Sequence, residues 1–191
     1  CATKPLEIGE EEMPELSNQS SPFRGKINHP GYIGHTWVAY PHVENPASLD
    51  MDPQGRIFVS EANRFWFGVP DLRRAREMIR GDFRSRTTAD RLALYDAHAD
   101  KRDRAWYEQT PDRLIRLEDS DGNFVADKRI LFSDAFDEPL DGIGFSVLAE
   151  RNATYFTCIP ALRKLTDPND DGEADTMENI VEGFGVRVSF I

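Results

Sequence analysis

"LTDPNDDGEAD" spans Leu165 to Asp175, and a related stretch, "LEDSDGNFVAD", spans Leu117 to Asp127. A shift of 48 residues (165 − 117) lays Leu117 on Leu165, Ala126 on Ala174, Asp127 on Asp175 and, further on, Phe136 on Phe184. The chain therefore repeats itself. A period in the forties, made of short strands separated by turns, is the mark of a β-propeller blade.

The strands can be read outward from the two loops. "ASLDMDPQGRIFVSEA" (47–62) alternates apolar and polar residues on either side of a turn at Asp52-Pro53-Gln54-Gly55, which predicts a hairpin. "GFSVLAERNATYFTCI" (144–159) has the same plan around Glu150-Arg151-Asn152, and "LIRLED" and "RILFSDAF" flank the first acidic loop as a further pair. Aligning Gly55 with Asn152 leaves 64 residues to Asp119 but only 15 from Asn152 to Asp167, so the first unit holds an insertion of 49 residues (64 − 15). That insertion, about 64–111, is rich in Arg, Ala, Glu and Leu and predicts two or three short helices. The clearest is "TTADRLALYDAHA", with Thr88 as its N-cap and Leu92 and Tyr95 spaced to share a face. The expected fold is mainly β, a partial β-propeller of about two blades over residues 41–191 with the helical insertion in the first. Residues 1–40 read as a tether and lead-in.

The spacing of the acids suggests why they are concentrated. Asp167, Asn169, Asp171, Glu173, Asp175 and Glu178 fill positions one, three, five, seven, nine and twelve of the calcium-loop pattern, with Gly172 at six. A hard cation takes six to eight oxygens, and alternate residues of a tight loop can supply them. The flanks are β-rich and Pro160 interrupts them, so the loop is expected to join strands rather than the helices of an EF-hand. In the earlier copy Asp119, Asp121, Asn123 and Asp127 occupy positions one, three, five and nine, but Phe124 replaces the glycine and Ile130 the glutamate. That copy reads either as a weaker calcium site or as a turn held by its own Asx side chains.

Charge and cysteine usage set further limits. A net charge of −11 argues against nucleic acid as a partner, because phosphate binding needs clustered cations. No apolar run is long enough to form a membrane-spanning helix. Cys1 stands first in a chain without an initiator Met, and "CATKPLEIGEEEMPELSNQSSPF" has the polar texture of a tether, which predicts a bacterial lipoprotein with the lipid on Cys1 and the chain facing the periplasm. Cys158 sits in an apolar strand and reads as a core residue. His29, His35, His42 and His98 have no metal-ligand spacing as a set. Asn152-Ala153-Thr154 matches a glycosylation acceptor and also serves as a hairpin turn.

"NPASLDMDPQGRIFVSEANRFWFGVPDLR", "RTTADRLALY", the run from Arg113 to Asp175 and "GFGV" at 183–186 together resemble the N-terminal part of the membrane-bound dehydrogenase proteins of planctomycetes and verrucomicrobia. Those proteins are similar to the soluble quinoprotein glucose/sorbosone dehydrogenases. The resemblance runs from about Asn45 to Ile191. It implies a six-bladed ring, calcium, pyrroloquinoline quinone, and a sugar or alcohol as substrate, with haem c in a C-terminal part that this sequence does not contain. The sequence therefore reads as the front of a longer polypeptide.

A tricarboxylate quinone would want bidentate donors, and Arg64 and Arg73 are the candidates at the rim. The seven arginines from Arg73 to Arg91, offset by nearby acids, read equally as a solvated helical face. Glu61 and Asp141 are the candidate catalytic bases, as acids at strand ends. The alternative is a non-catalytic, calcium-stabilised propeller lipoprotein that binds a glycan or a protein partner.

Overall fold

The computed structural model describes Gly31, residues 34–65 and residues 67–184. Cys1, the tether over residues 1–30 and the terminal run 185–191 lie outside the described residues. The structure is mainly β, with two four-stranded antiparallel sheets. The first contains β1 (Pro46–Met51), β2 (Ile57–Glu61), β3 (Asp112–Glu118) and β4 (Lys128–Phe136), in that order across the sheet. The second contains β5 (Gly144–Ala149), β6 (Thr154–Cys158), β7 (Ala161–Thr166) and β8 (Thr176–Glu182), again in sequence order.

Local chemistry forms these strands. In β7, Ala161, Arg163 and Leu165 are buried while the residues between them are half-buried, the period of two that a strand requires. The β1–β2 turn is held by Asp52, whose Oδ1 accepts from the backbone N–H groups of Gln54 at 2.9 Å and Arg56 at 3.0 Å. Gly55 takes φ +86°, which this turn requires. Both acidic stretches join strands, Asp119–Asp127 between β3 and β4 and Asp167–Asp175 between β7 and β8.

Between β2 and β3 the chain forms three short helices, α1 (Ile79–Arg84), α2 (Thr88–Asp96) and α3 (Arg104–Glu108), with single 3-10 turns at Asn63–Phe65 and Arg76–Met78. The α2 cap is Thr87, one residue earlier than the sequence suggested. Its hydroxyl accepts from the Asp90 N–H while the Asp90 carboxylate accepts from the Thr87 N–H, so the pair closes a capping box that Thr88 cannot form. The buried face of α2 is Arg91, Leu94 and Tyr95, whereas Leu92 points outward. Arg91, counted in the sequence among solvated arginines, is 1 % exposed.

Three apolar clusters hold the chain. Phe58, Leu114, Phe132 and Phe136 of the first sheet meet Val147, Phe156, Cys158 and Leu165 of the second. Val59, Ile115, Leu117 and Ala126 line the opposite face of the first sheet, covered by Trp37, Val38 and Val43 of the lead-in. Leu72, Ala75, Met78, Leu94, Tyr95 and Tyr107 form a separate core for the helical insertion.

The two sheets are stacked in the same sense. Leu165 and Ala174 pack between the sheets, yet their equivalents Leu117 and Ala126, 48 residues earlier, pack on the far side of the first sheet. Phe156 and Val59, equivalent in the two hairpins, divide in the same way. The face of the second sheet that packs against the first thus corresponds to the face that the first sheet turns away from it. Polar bonds lock the stack: the Ala149 N–H donates to Asp50 Oδ2 at 2.8 Å, the Ser60 hydroxyl to the Phe145 carbonyl at 2.7 Å, and the Ala174 N–H to the Phe132 carbonyl at 2.8 Å.

Candidate metal centre

The loop whose pattern is incomplete is the one whose carboxylates converge. Asp119, Asp121 and Asp127 bring one oxygen each to within 4.8 Å of one another, and among the described residues no other group of three acids, histidines or cysteines does so. The loop is shaped by its own side chains. Asp119 Oδ1 accepts from the N–H groups of Gly122 at 2.8 Å and Asn123 at 3.1 Å, and Oδ2 accepts from Phe124 at 2.9 Å. Asp127 accepts from the Ser120 N–H and hydroxyl. Phe124 takes φ +67° where the pattern would place glycine. Asn123 turns inward on the loop, its amide donating to Asp121 Oδ2 and its oxygen accepting from the Val125 N–H.

The complete pattern behaves differently. Asp167 Oδ2 accepts from the Gly172 N–H at 2.9 Å and lies 3.3 Å from Arg116 Nη1. Asp170 is ion-paired with Arg56 and lies 3.5 Å from Arg116. Of the six predicted ligands, Asp167 has an arginine beside it, Arg116, whereas Arg56 pairs with Asp170, which is not a ligand position of the pattern. Asn169 and Asp171 hydrogen-bond each other, and Asp171 Oδ1 accepts from the Glu173 N–H. Glu178, expected at position twelve, lies on β8 opposite Lys164, with Nζ–Oε1 at 3.5 Å, and does not fold back over the loop. Glu173 and Asp175 are exposed. One feature still suits a cation: Asp167 Oδ1 is buried without a hydrogen-bond partner. Among the described residues the acids that converge well enough to hold a metal ion are Asp119, Asp121 and Asp127, and no arginine there pairs with them.

Gly172 explains why the second loop keeps its pattern. It has φ +101°, and a Cβ there would come within 2.8 Å of Ile130 Cδ1 and 3.0 Å of Arg116 Cζ. Ile130 stands where the first loop would need its glutamate. It packs instead under the second loop, so this departure serves the joint between the sheets, whereas Phe124 is exposed beside His35.

A family model described as "Domain of unknown function (DUF7133)" matches residues 28–188. The chain belongs to the DUF7133 family. No curated protein and no solved structure matches it.

In this DUF7133 chain the four other residues singled out by sequence have defined places. Arg64 was expected at the rim, but it is fully buried. Its guanidinium donates to the carbonyls of Tyr107 at 2.9 Å and Gly68, Glu138 and Asp141 at 3.1 Å each, which leaves it unable to reach a quinone. Arg73 is exposed and bound through two nitrogens to Asp71 at 2.9 Å. The two arginines do not form a shared cradle for a tricarboxylate. Glu61 is also fully buried, with Oε1 accepting from the Glu44 N–H at 2.8 Å and Oε2 lying 3.5 Å from Arg129. Asp141 is paired with Arg163 inside the fold and accepts from the Glu138 N–H. Both acids are thus engaged inside the fold. Cys158 is buried, and burial raises its thiol far above the ordinary range, as expected for a core residue. His98 reaches the Leu94 carbonyl at 2.9 Å near the end of α2, and His35 the Phe124 carbonyl at 2.9 Å.

Asp112, which the sequence did not single out, links the insertion to the second sheet. Oδ1 accepts from the Arg64 N–H at 2.7 Å and Oδ2 from the Gly144 N–H at 2.5 Å. The position is crowded, since a Cβ on Gly144 would lie 2.2 Å from Phe156 Cζ. The signal in the sequence was an acid at the first residue of a strand, just after Pro111.

Burial pushes Asp112 up to about 6 from its ordinary 3.8, against the hydrogen bonds that favour its charge. The native state therefore holds a proton that the unfolded chain has already released between these values. Stability from this group should rise by about 1.4 kcal/mol as pH falls from about 7.5 to about 5. Burial raises Glu61 and Asp141 as well, which acts in the same direction. Asp170, held low by Arg56, loses its contribution only as pH falls below its ordinary 3.8, outside this window. His42, lowered by burial and by Arg129, acts in the opposite direction within this window. The Asp112 share is therefore the difference between the urea-midpoint pH dependences of the chain and of Asp112→Asn. An Asp112→Asn variant that gains as much as the chain on acidification would contradict it.

Proposed function

We propose that the chain forms two successive blades of a calcium-stabilised β-propeller at the bacterial cell envelope, within a quinoprotein-type oxidoreductase acting on a sugar or alcohol. The observation that carries the propeller reading is the same-sense stacking of the sheets, with Leu117 and Leu165 on corresponding faces. A sandwich would turn like faces toward each other, whereas a ring repeats one rotation. The oxidoreductase part rests on the resemblance of the hairpins, the insertion and the two acidic loops to the membrane-bound dehydrogenases. In this reading the described residues supply scaffold and metal loop; quinone, haem c and catalytic base belong to other parts of the polypeptide, and lipid on Cys1 anchors it.

The internal engagement of Glu61, Arg64 and Asp141 favours a second reading, a calcium-stabilised propeller that only binds a glycan or protein partner. Dye reduction by the full polypeptide, loaded with quinone and calcium and offered a panel of sugars and alcohols, separates the two. Substrate-dependent reduction supports the oxidoreductase, and its absence from a loaded, folded protein that still binds glycan rejects it.

Calcium binding gives a simpler prediction. Calcium at about a hundred times its dissociation constant should stabilise the chain by about 2.7 kcal/mol, a melting shift of several degrees. Asp121→Ala should remove most of that rise, and Asp171→Ala should leave most of it intact, because the converged carboxylates belong to the first loop. Differential scanning calorimetry with calcium and with chelator decides it. The reverse order of the two variants would return the site to the second loop.

A further inference from the structure

The helical insertion forms a cleft of about 480 Å³ away from both acidic loops. Its apolar wall includes Phe65, Phe67 and Trp106, with Phe67 49 % exposed. Its charges fall into two clusters of the same composition. Asp71 faces Arg73 at 2.9 Å and Arg74 at 4.0 Å, and Glu77 faces Lys101 at 3.4 Å and Arg102 at 3.6 Å. Each carboxylate thus serves two cations. The cleft keeps an excess of two positive charges on a chain whose net charge is −11.

We propose that this cleft binds an acidic saccharide, a short chain of uronate-type sugars. The reading goes beyond the oxidoreductase proposal and does not depend on it. Each ligand feature has a counterpart in the wall. The carbohydrate C–H face packs on Phe67 and Trp106, the latter held in place by the Arg102 guanidinium 5.2 Å from its ring centroid. Hydroxyl groups donate to Asp71 and Glu77, which retain accepting lone pairs. The sugar carboxylates take the surplus charge of Arg73, Arg74, Lys101 and Arg102. A neutral sugar would leave that surplus unmatched. A simple anion would leave the aromatic wall bare, and a long polyanion would meet the acidic remainder of the surface.

Isothermal titration of the full polypeptide with trigalacturonate tests the assignment. The fully methyl-esterified trimer, benzoate, inorganic sulfate and a trinucleotide serve as the other arms. Trigalacturonate should bind, with the ester weaker by about tenfold or more and affinity falling as salt is raised. The double variant Arg73→Ala/Arg74→Ala removes two exposed cations and should weaken the acid by about tenfold while leaving the ester unchanged. Phe67→Ala should weaken acid and ester alike. Circular dichroism confirms that both variants are folded. Equal affinity for acid and ester, a trinucleotide or benzoate binding as tightly as the trimer, an unchanged double variant, or no binding at millimolar trimer would each overturn the proposal.

Discussion

Arg64→Met should destabilise the chain by about 3–5 kcal/mol, among the largest effects of any single substitution in it. The side chain is fully buried, and its two terminal nitrogens donate to carbonyls of Gly68, Tyr107 and Thr110 in the insertion and of Glu138 and Asp141 in the segment joining the sheets. Met fills a similar length of space and donates nothing, so these carbonyls would be left in a site closed to water. Backbone shifts cannot easily restore them, since the Gly68 and Tyr107 backbones already approach closely, a Cβ at Gly68 lying 3.0 Å from the Tyr107 carbonyl oxygen. Arg64→Lys should fall between the two, because an ammonium keeps the charge but cannot reach both sides as a planar fork does. Chemical denaturation of the three proteins gives the order, and a loss below about 1 kcal/mol for Met would show that the carbonyls find other donors.

The position of Arg64 also shows where sequence reading stops. Both hairpins, both loop connections and the helical insertion were legible because each depends on neighbours within a few residues, a period of two, a turn sequence or a run of helix formers, although the cap of α2 was placed one residue late. Four of the five carbonyls that Arg64 serves lie 43 to 77 residues away, and nothing in "SEANRF" reports them. A local sign was available elsewhere. Arg116 in "LIRLED" and Arg163 in "ALRKLT" occupy inward positions of alternating strands, and an inward arginine implies a buried partner. The partners are Asp167 and Asp141.

The same physics separates the two acidic loops. A ligand pattern records which residues could surround an ion, and only the fold decides what else competes for them. At Asp167 the competitor is Arg116, brought by the first sheet against the β7–β8 turn, and the neighbouring Asp170 holds Arg56 there as well. Among the described residues no arginine pairs with Asp119, Asp121 or Asp127, whose carboxylates lie together. Sequence similarity between the loops was a sound guide to the repeat, but it could not show which side chains of each loop converge.

Asp82→Ala should cost a comparable 3–5 kcal/mol within the helical insertion, because it leaves Arg91 charged and alone in a core. The two side chains are 0 % and 1 % exposed and meet at 2.5 Å. Around them Leu94 packs over Gly81, whose missing Cβ would stand 2.2 Å from Leu94 Cδ1, so α1 and α2 are too close for water to enter and solvate a lone guanidinium. Tyr95 lies 5.8 Å from that guanidinium and offers a ring face, which softens the loss without replacing the carboxylate. Removing both charges should be far milder than removing one: Asp82→Ala/Arg91→Met should recover most of the stability, as apolar pairs of similar volume do at such sites. Since the insertion core shares no residue with the inter-sheet core, hydrogen exchange should show the loss first in the amides of α1 and α2, with the β2–β3 and β6–β7 ladders still protected. A double variant as unstable as the single, or sheet amides exchanging together with the helices, would mean that the insertion and the sheets unfold as one unit and that the pair's worth lies in their joint rather than in the helical core.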